Sequence, residues 1–403
     1  MSRFREWLGD ERGPGAGAMR VARGCLVVLA FAVPFSIAIT EAALVTGLVA
    51  LLVARRRGRP WRFASSPLDW ACLAIVASWI VSSAFSPEPF GAFVHTRKLY
   101  ALGLIYLAAE GFREPGLRAR FVPLVLAGAT VTALVGFLIY AVKVRNDPSY
   151  RLQSLLSNQM TSGGVLAATA LWALGQVTVG RIGRRLAYGV MCALLGAALA
   201  LTQTRSHWLG FAAGAAALLV ARVPRAWWTL PLAAIAFRLA APARLVARLA
   251  SIVDPHEPGN QGRLSMWRSG WDIFRERPLT GAGVQDLLAL YRKHKYPDAT
   301  FEAGHFHNNV VQFAVSAGVL GLAAFLFWCV AGYRQLLRAR RAATGEDRAL
   351  VASALGVFTA LMVSGMFDFT FGDAEVVYHS YLALGLSLAL LPGRTEVDAH
   401  GGR

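Results

Sequence analysis

Acidic residues are scarce in this 403-residue chain. Its 23 Asp and Glu stand against 41 Lys and Arg, and charged residues of all kinds make up only 16%. Cysteines are scarcer. Cys25, Cys72, Cys192 and Cys329 each stand alone in an apolar stretch with no CxxC pair, so neither a disulfide framework nor a zinc site is indicated, and inert core thiols are expected. No DxD pair or carboxylate cluster that would hold magnesium stands in the segments assigned below to the outer face. No small-residue cleavage site follows the first apolar stretch, so no removable signal peptide is expected. Nor does the net charge of +18 point to nucleic acid, because the basic residues sit in short loops between apolar runs.

Apolar residues are abundant, at 56% of the chain. Runs of membrane-spanning length recur from end to end, which predicts an all-α polytopic membrane protein. About twelve spans are expected at roughly 15–25 apolar residues each: 22–38, 40–54, 67–86, 97–111, 119–142, 160–179, 185–203, 207–221, 226–242, 307–330, 349–367 and 374–392. The organisation that follows is a cytoplasmic segment 1–21, spans one to nine over 22–242, a large loop 243–306, spans ten to twelve over 307–392, and a cytoplasmic tail 393–403.

Charge sets the orientation. Alternate loops carry Arg55, Arg56, Arg57, Arg59 and Arg62, then Arg113, Arg118 and Arg120, then Arg181, Arg184, Arg185, Arg222 and Arg225, and lastly Arg334, Arg338, Arg340, Arg341 and Arg348. These mark the cytoplasmic side and put both termini there. The 243–306 loop is then external. It too is basic, which either reflects an ordinary solvated loop or draws an anionic substrate.

Few basic residues remain in the short outward loops: Arg97, Lys98, Lys143, Arg145, Arg151 and Arg205. Arg205, in LTQTRSHWLG, has apolar helix on both sides. An ionisable residue at membrane depth is a functional candidate, with snorkelling to headgroups as the alternative. Arg97, Lys98 and Arg151 suit an interfacial anchor as well as a ligand.

The most informative stretch runs from Arg263 to Gly321. Leu264, Trp267, Trp271 and Phe274 recur at helical spacing, and Met266 and Ile273 join their arc. Arg268, Asp272, Arg275 and Glu276 fall opposite. Arg263 projects from the middle of the apolar face, where a buried guanidinium needs a partner such as a bound anion. His307 and Asn308 then stand where a long apolar run begins. The positive end of the helix dipole disfavours imidazolium there, so a neutral imidazole is expected to take a proton from a hydroxyl. A capping or interfacial histidine is the plainer alternative, and Glu302, His305 and His307 have a spacing that permits metal ligation without an evident fourth ligand. Guanidinium forks bind phosphate oxygens bidentately and stay charged, so the residues point to an outward site for a lipid-linked diphosphate beside a base. Neither a metal nor another cofactor is called for.

The segment HNNVVQFAVSAGVLG, with a His-Asn pair, nine residues and then Gly318 and Gly321, resembles the signature of bacterial O-antigen ligases. GRLSMWRSGWDIFRERPLTGAGV resembles the same family's R-x-x-x-W…W…PLTGxG segment, and TQTRSHW its Ser/Thr-Arg element. The resemblance covers the central to C-terminal half and is shared across the O-antigen ligase and polymerase superfamily. It implies an inner-membrane glycosyltransferase of the GT-C type with a periplasmic site. Such an enzyme moves polysaccharide from undecaprenyl diphosphate to a sugar of lipid A–core, without metal and with inversion. His307 would be the base. Arg205 and Arg263 would hold the diphosphate, with Arg151 as a helper, and Asn308, His305 and Trp267 would support the site. Where relatives often carry an acidic residue before the motif glycine, this chain has Ser316. The partners implied are the lipid-linked donor, the lipid A–core acceptor and membrane lipid, with no nucleic acid. An O-antigen polymerase, a protein O-oligosaccharyltransferase and a transporter without chemistry remain as other readings. Transporters, however, place polar groups at the midplane, whereas these gather at one edge.

Overall fold

A computed structural model of the chain describes residues 13–60, 65–156, 158–226, 228–284, 287–297, 299, 302 and 304–391. Residues 1–12, Arg62 and the expected tail at 393–403 lie outside the described residues. Among those described, all regular structure is helical. The helices are α1 (Ala16–Ala32), α2 (Ile37–Arg56), α3 (Pro67–Ala84), α4 (Pro89–Thr96), α5 (Gly103–Phe112), α6 (Pro115–Asn146), α7 (Gln159–Gln176), α8 (Ile182–Thr202), α9 (Arg205–Arg222), α10 (Thr229–Ala240), α11 (Ala243–Ala250), α12 (Pro258–Glu276), α13 (Leu288–His294), α14 (Asn309–Ala342), α15 (Asp347–Ser364) and α16 (Ala374–Ala389).

Local chemistry sets several helix starts. Pro67 opens α3 behind a capping box made by Ser66 and Asp69, which satisfies backbone donors at the helix end reciprocally. Asn158 accepts from two backbone N–H groups at the head of α7, and Asn308 does the same for α14. Among the described residues six helices, α2, α3, α6, α8, α14 and α15, are long and apolar enough to cross a membrane. The chain is thus a multi-pass helical membrane protein.

The remaining expected spans are more varied. The 97–111 stretch divides into a 3-10 turn (Arg97–Leu102) and the ten-residue α5. The 226–242 stretch yields only the twelve-residue α10, with no buried residue. At 1.5 Å per residue α10 is roughly 18 Å long, short of a ~30 Å hydrocarbon core.

Two contacts position the site. Helix α9 lies backbone-to-backbone on α15. A Cβ on Gly214 would stand 2.5 Å from the Gly356 carbonyl oxygen, and one on Gly210 2.6 Å from that of Ala360. Small residues permit this approach, and it delivers the first turn of α9 to the loop that follows α15.

The second contact is a break in α14. Ala317 and Gly318 leave helical geometry, Gly318 at φ 63 and ψ −158. The loop at 278–283 fills the gap. Val319 N–H donates to the Pro278 carbonyl at 2.8 Å, while Ala282 and Gly283 N–H donate to Val315 and Ser316 carbonyls at 2.8 and 3.0 Å. Ser82 Oγ, from α3, also donates to the Ser316 carbonyl at 2.6 Å. Backbone groups freed inside a membrane helix need such partners. The PLTGAG segment is therefore a plug for a broken helix.

Outside the main core a second apolar cluster forms from Met266, Ile273, Ala282, Leu287, Tyr291, Phe306 and Val315. It joins the 243–306 region to the head of α14.

Candidate functional site

The expected helix over the Arg263 region is present as α12, but its buried face is rotated from the predicted arc. Gly262, Ser265, Met266, Ser269, Gly270 and Ile273 are buried, whereas Leu264 and Trp271 are 48% and 59% exposed. The reason is proximity. A Cβ on Gly270 would meet Val311 at 2.7 Å and Phe306 at 3.1 Å, so the contacting face is selected for small size, and the bulky residues turn away from it. Trp267 is half-buried, and its Nε1–H donates to the Phe306 carbonyl at 3.0 Å.

At the corner between α8 and α9, Gln203 adopts φ 53 and reverses the chain. Arg151 donates from Nε to the Thr202 carbonyl at 2.9 Å and from Nη2 to that of Gln203 at 3.1 Å, which suits a cation at a helix C-terminus. Arg205, buried at the first turn of α9, reaches the other way. Its Nη2 pairs with Glu257 at 2.7 Å, and its Nη1 donates to the Ser251 carbonyl and hydroxyl at 2.8 and 3.0 Å. Arg248, on α11, pairs with the other Glu257 oxygen at 3.0 Å. Arg263 donates from Nε to the Phe367 carbonyl at 3.0 Å and from Nη1 to that of Gly259 at 3.4 Å.

These groups feel one another. Burial first, then Arg248, Arg205, Arg263 and Arg244, pull Arg151 down to about 10. Burial also lowers Arg263, although the Asp368 charge opposes it. Burial pushes Glu257 upward, but the Arg205 contact outweighs this and holds it below the ordinary range. The guanidinium groups of Arg151, Arg205, Arg248 and Arg263 outnumber the carboxylates of Asp254, Glu257 and Asp368 near them, and the surplus positive charge suits a multiply charged anion. Arg205 and Arg263 line one cavity of about 240 Å³ together with Ser206, Asn260, Trp267 and Phe367. Arg151 is outside its lining and stands behind it.

His307 precedes Asn308 in a left-handed conformation, φ 46. Asn308 caps α14 and donates from Nδ2 to the Met366 carbonyl at 2.9 Å. The dipole argument alone misjudged the surroundings of His307. Its Nδ1 lies 3.0 Å from Oδ1 of Asp368, a buried carboxylate in the 365–373 loop. With Nδ1–H donating to that oxygen, Nε2 is left as the ring nitrogen without a protein partner among the described residues. Phe369 N–H also donates to Oδ1, at 2.9 Å. Burial drives Asp368 upward, but the His207 and His307 rings beside it win and keep it well below the usual carboxylate range.

His307 lines a second cavity, of about 450 Å³, with His95, Lys98, Asn158, His305, Gln312, Asp368 and Asp373. His305 packs edge-on against His307 at 4.2 Å between ring centroids, and its Nδ1 accepts from the His307 backbone N–H at 3.4 Å. Glu302, weighed above as a metal ligand, is instead held by Arg292 at 2.9 Å and Lys295 at 3.4 Å. Asp373 is pushed up to about 6 by burial, with the Asp368 charge adding.

The expected residues therefore divide between two chambers. Arg205, Arg263 and Trp267 belong to one, and His307 and His305 to the other. The 366–369 segment is the wall between them, with Phe367 on the first side and Asp368 on the second. Asp368, His207, Arg248 and Glu257 were not anticipated. Asp368 and His207 carry the same signal that marked Arg205, ionisable side chains at the edge of apolar helices, but a search for anion ligands passed over them.

The fold and site together define a multi-pass membrane protein with a cationic chamber next to a histidine–carboxylate pair. Residues 190–326 match the family model described as O-antigen ligase. The matched segment contains Arg205, Arg263 and His307, and leaves Asp368 beyond its end. No curated protein matches the chain.

Proposed function

We propose that this protein transfers a glycan from a polyprenyl diphosphate carrier, undecaprenyl diphosphate, to a hydroxyl of lipid A–core at the periplasmic face. The observation that carries the reading is the pairing of two chambers across one wall, cations on one side and a carboxylate-oriented histidine on the other. The acceptor hydroxyl enters beside His307, and its oxygen attacks the anomeric carbon. The bond from that carbon to the diphosphate oxygen breaks, and the hydroxyl proton passes to Nε2 of His307. The carrier diphosphate leaves with its charge held by Arg205 and Arg263. A nucleophile and a leaving group on opposite sides suit inversion.

Arg248 steadies Glu257, the carboxylate that holds Arg205, in this reading. Arg151 holds the α8–α9 corner, and so Arg205, in place. Asn308 and Trp267 fix the head of α14 through the Met366 and Phe306 carbonyls.

The test uses purified protein in lipid, with lipid-linked donor and lipid A–core acceptor. Glycan appearing on lipid A–core supports the proposal, and His307→Ala should abolish transfer while donor binding persists. Undiminished transfer by that variant would remove His307 as the base. Product that lengthens on the carrier instead would make the acceptor a second lipid-linked glycan.

A further inference from the structure

His207 has no place in the scheme above, yet it is one of the most completely buried ionisable groups in the chain, 2% exposed. It stands one residue beyond Ser206 and two beyond Arg205, on the first turn of α9. Its ring lies over a pair of glycines in α7. A Cβ on Gly163 would meet its Cδ2 at 3.1 Å, and one on Gly164 its Cε1 at 3.0 Å. Its Nε2 lies 3.5 Å from Oδ2 of Asp368, the oxygen that His307 does not use. Nε2 makes no hydrogen bond among the described residues, and a buried ring nitrogen without one is costly. The distance is at the outer limit of a hydrogen bond, and such contacts are often long before substrate arrives.

One carboxylate is therefore held at Oδ1 by His307 and Phe369 and faced at Oδ2 by the His207 ring. We propose that His207 is a positioning residue whose Nε2–H fixes Oδ2 of Asp368, so that Oδ1 stays on His307 Nδ1 and the free nitrogen of His307 faces the acceptor. α9 then serves both chambers from a single turn, with Arg205 toward the diphosphate and His207 toward the base. This rests on the reading of His307 as base given above.

The charged and titratable groups around this pair are Arg205 on α9 itself, Arg263 on α12, His305 and His307 before α14, Asp373 beside Asp368 before α16, and His95 and Lys98 across the cavity that Asp368 lines. Removing the His207 donor leaves the Asp368 charge less compensated and strengthens its hold on a protonated His307. The acid limb of the rate profile therefore moves to higher pH.

The experiment compares His207→Leu, which fills the same space without a donor, with His207→Gln, which keeps an N–H. Both are measured as full-length protein in lipid vesicles with lipid-linked donor and lipid A–core, beside Asp368→Asn and His307→Ala. His207→Leu should lower kcat about ten- to a hundredfold with the donor KM unchanged and the acid limb shifted upward. His207→Gln should recover most of the rate. Wild-type rate and pH profile in His207→Leu, with Asp368→Asn and His307→Ala inactive, overturns the proposal and leaves the base intact. Equal losses in Leu and Gln variants that track a lowered melting temperature also overturn it, because only packing is then at stake. Activity in all four variants overturns the base assignment and this proposal with it.

Discussion

Replacing Asp368 by Asn tests the chemistry at one atom. The wild-type carboxylate accepts from His307 Nδ1 at 3.0 Å and from Phe369 N–H at 2.9 Å through the same oxygen. A hydrogen bond to a buried charged group contributes about 1.5–3 kcal/mol, so its loss alone lowers the rate about ten- to a hundredfold. The amide adds a second penalty. Where its NH₂ turns toward His307, the ring must carry its proton on Nε2, and that nitrogen can no longer accept one. The expected loss is therefore on the order of a hundredfold or more in kcat. The donor KM should stay near the wild-type value, since Arg205 and Arg263 lie across the 366–369 wall. The assay is initial-rate transfer to lipid A–core in proteoliposomes between about pH 6 and 9, with melting temperature as a check on folding. A well-folded variant within about threefold of wild type across that range would refute the claim that Asp368 orients the base.

Other substitutions separate the remaining roles. Arg263→Lys keeps a charge but loses the Nε–H that donates to the Phe367 carbonyl and the planar fork beside it, and kcat/KM for the donor should fall about tenfold or more in the same assay. Gly318→Ala places a Cβ 2.3 Å from the Leu279 carbonyl oxygen in a backbone region open mainly to glycine. It should cost more than about 1–3 kcal/mol, read as a lowered melting temperature or loss of folded protein; an unchanged melt would contradict the plugged-helix account. Asp373 is raised to about 6, so the folded chain binds that proton more tightly than the unfolded one. Its contribution to stability is fullest below the unfolded value near about 4 and declines as pH rises through about 6. Asp373→Asn should flatten the melting temperature between about pH 4.5 and 7, and an unaltered slope would show that the group does not titrate in this window.

The membrane helices were legible because bilayer thickness demands long apolar runs whatever the tertiary context. Arg205, Arg263 and His307 were legible for the complementary reason, that charge is costly next to such runs. What escaped depends on packing. Asp368 lies 61 residues beyond His307 and reaches it only because α15 ends beside the head of α14. His207 reaches Asp368 only because Gly210, Gly214 and Gly356 let α9 and α15 touch. The orientation of α12 was misjudged because periodicity ranks residues by hydrophobicity, while a close contact with Phe306 and Val311 selects for small size. The break in α14 left no mark in an apolar pattern, since Ala317 and Gly318 are ordinary residues of a membrane helix.

The plug at 278–283 also bears on how such a chain can be recombined. By sequence, the natural seam for exchanging the 243–306 loop between relatives is the loop–helix border near residue 306. By structure that seam cuts through a single mechanical unit, because Pro278, Ala282 and Gly283 complete the backbone of Val315, Ser316 and Val319. A graft ending at 306 would ask a foreign strap to fit a resident gap to within a few tenths of an ångström. Chimaeras should therefore carry α12 through Gly321 as one cassette, and cuts are better tolerated in the straight second part of α14.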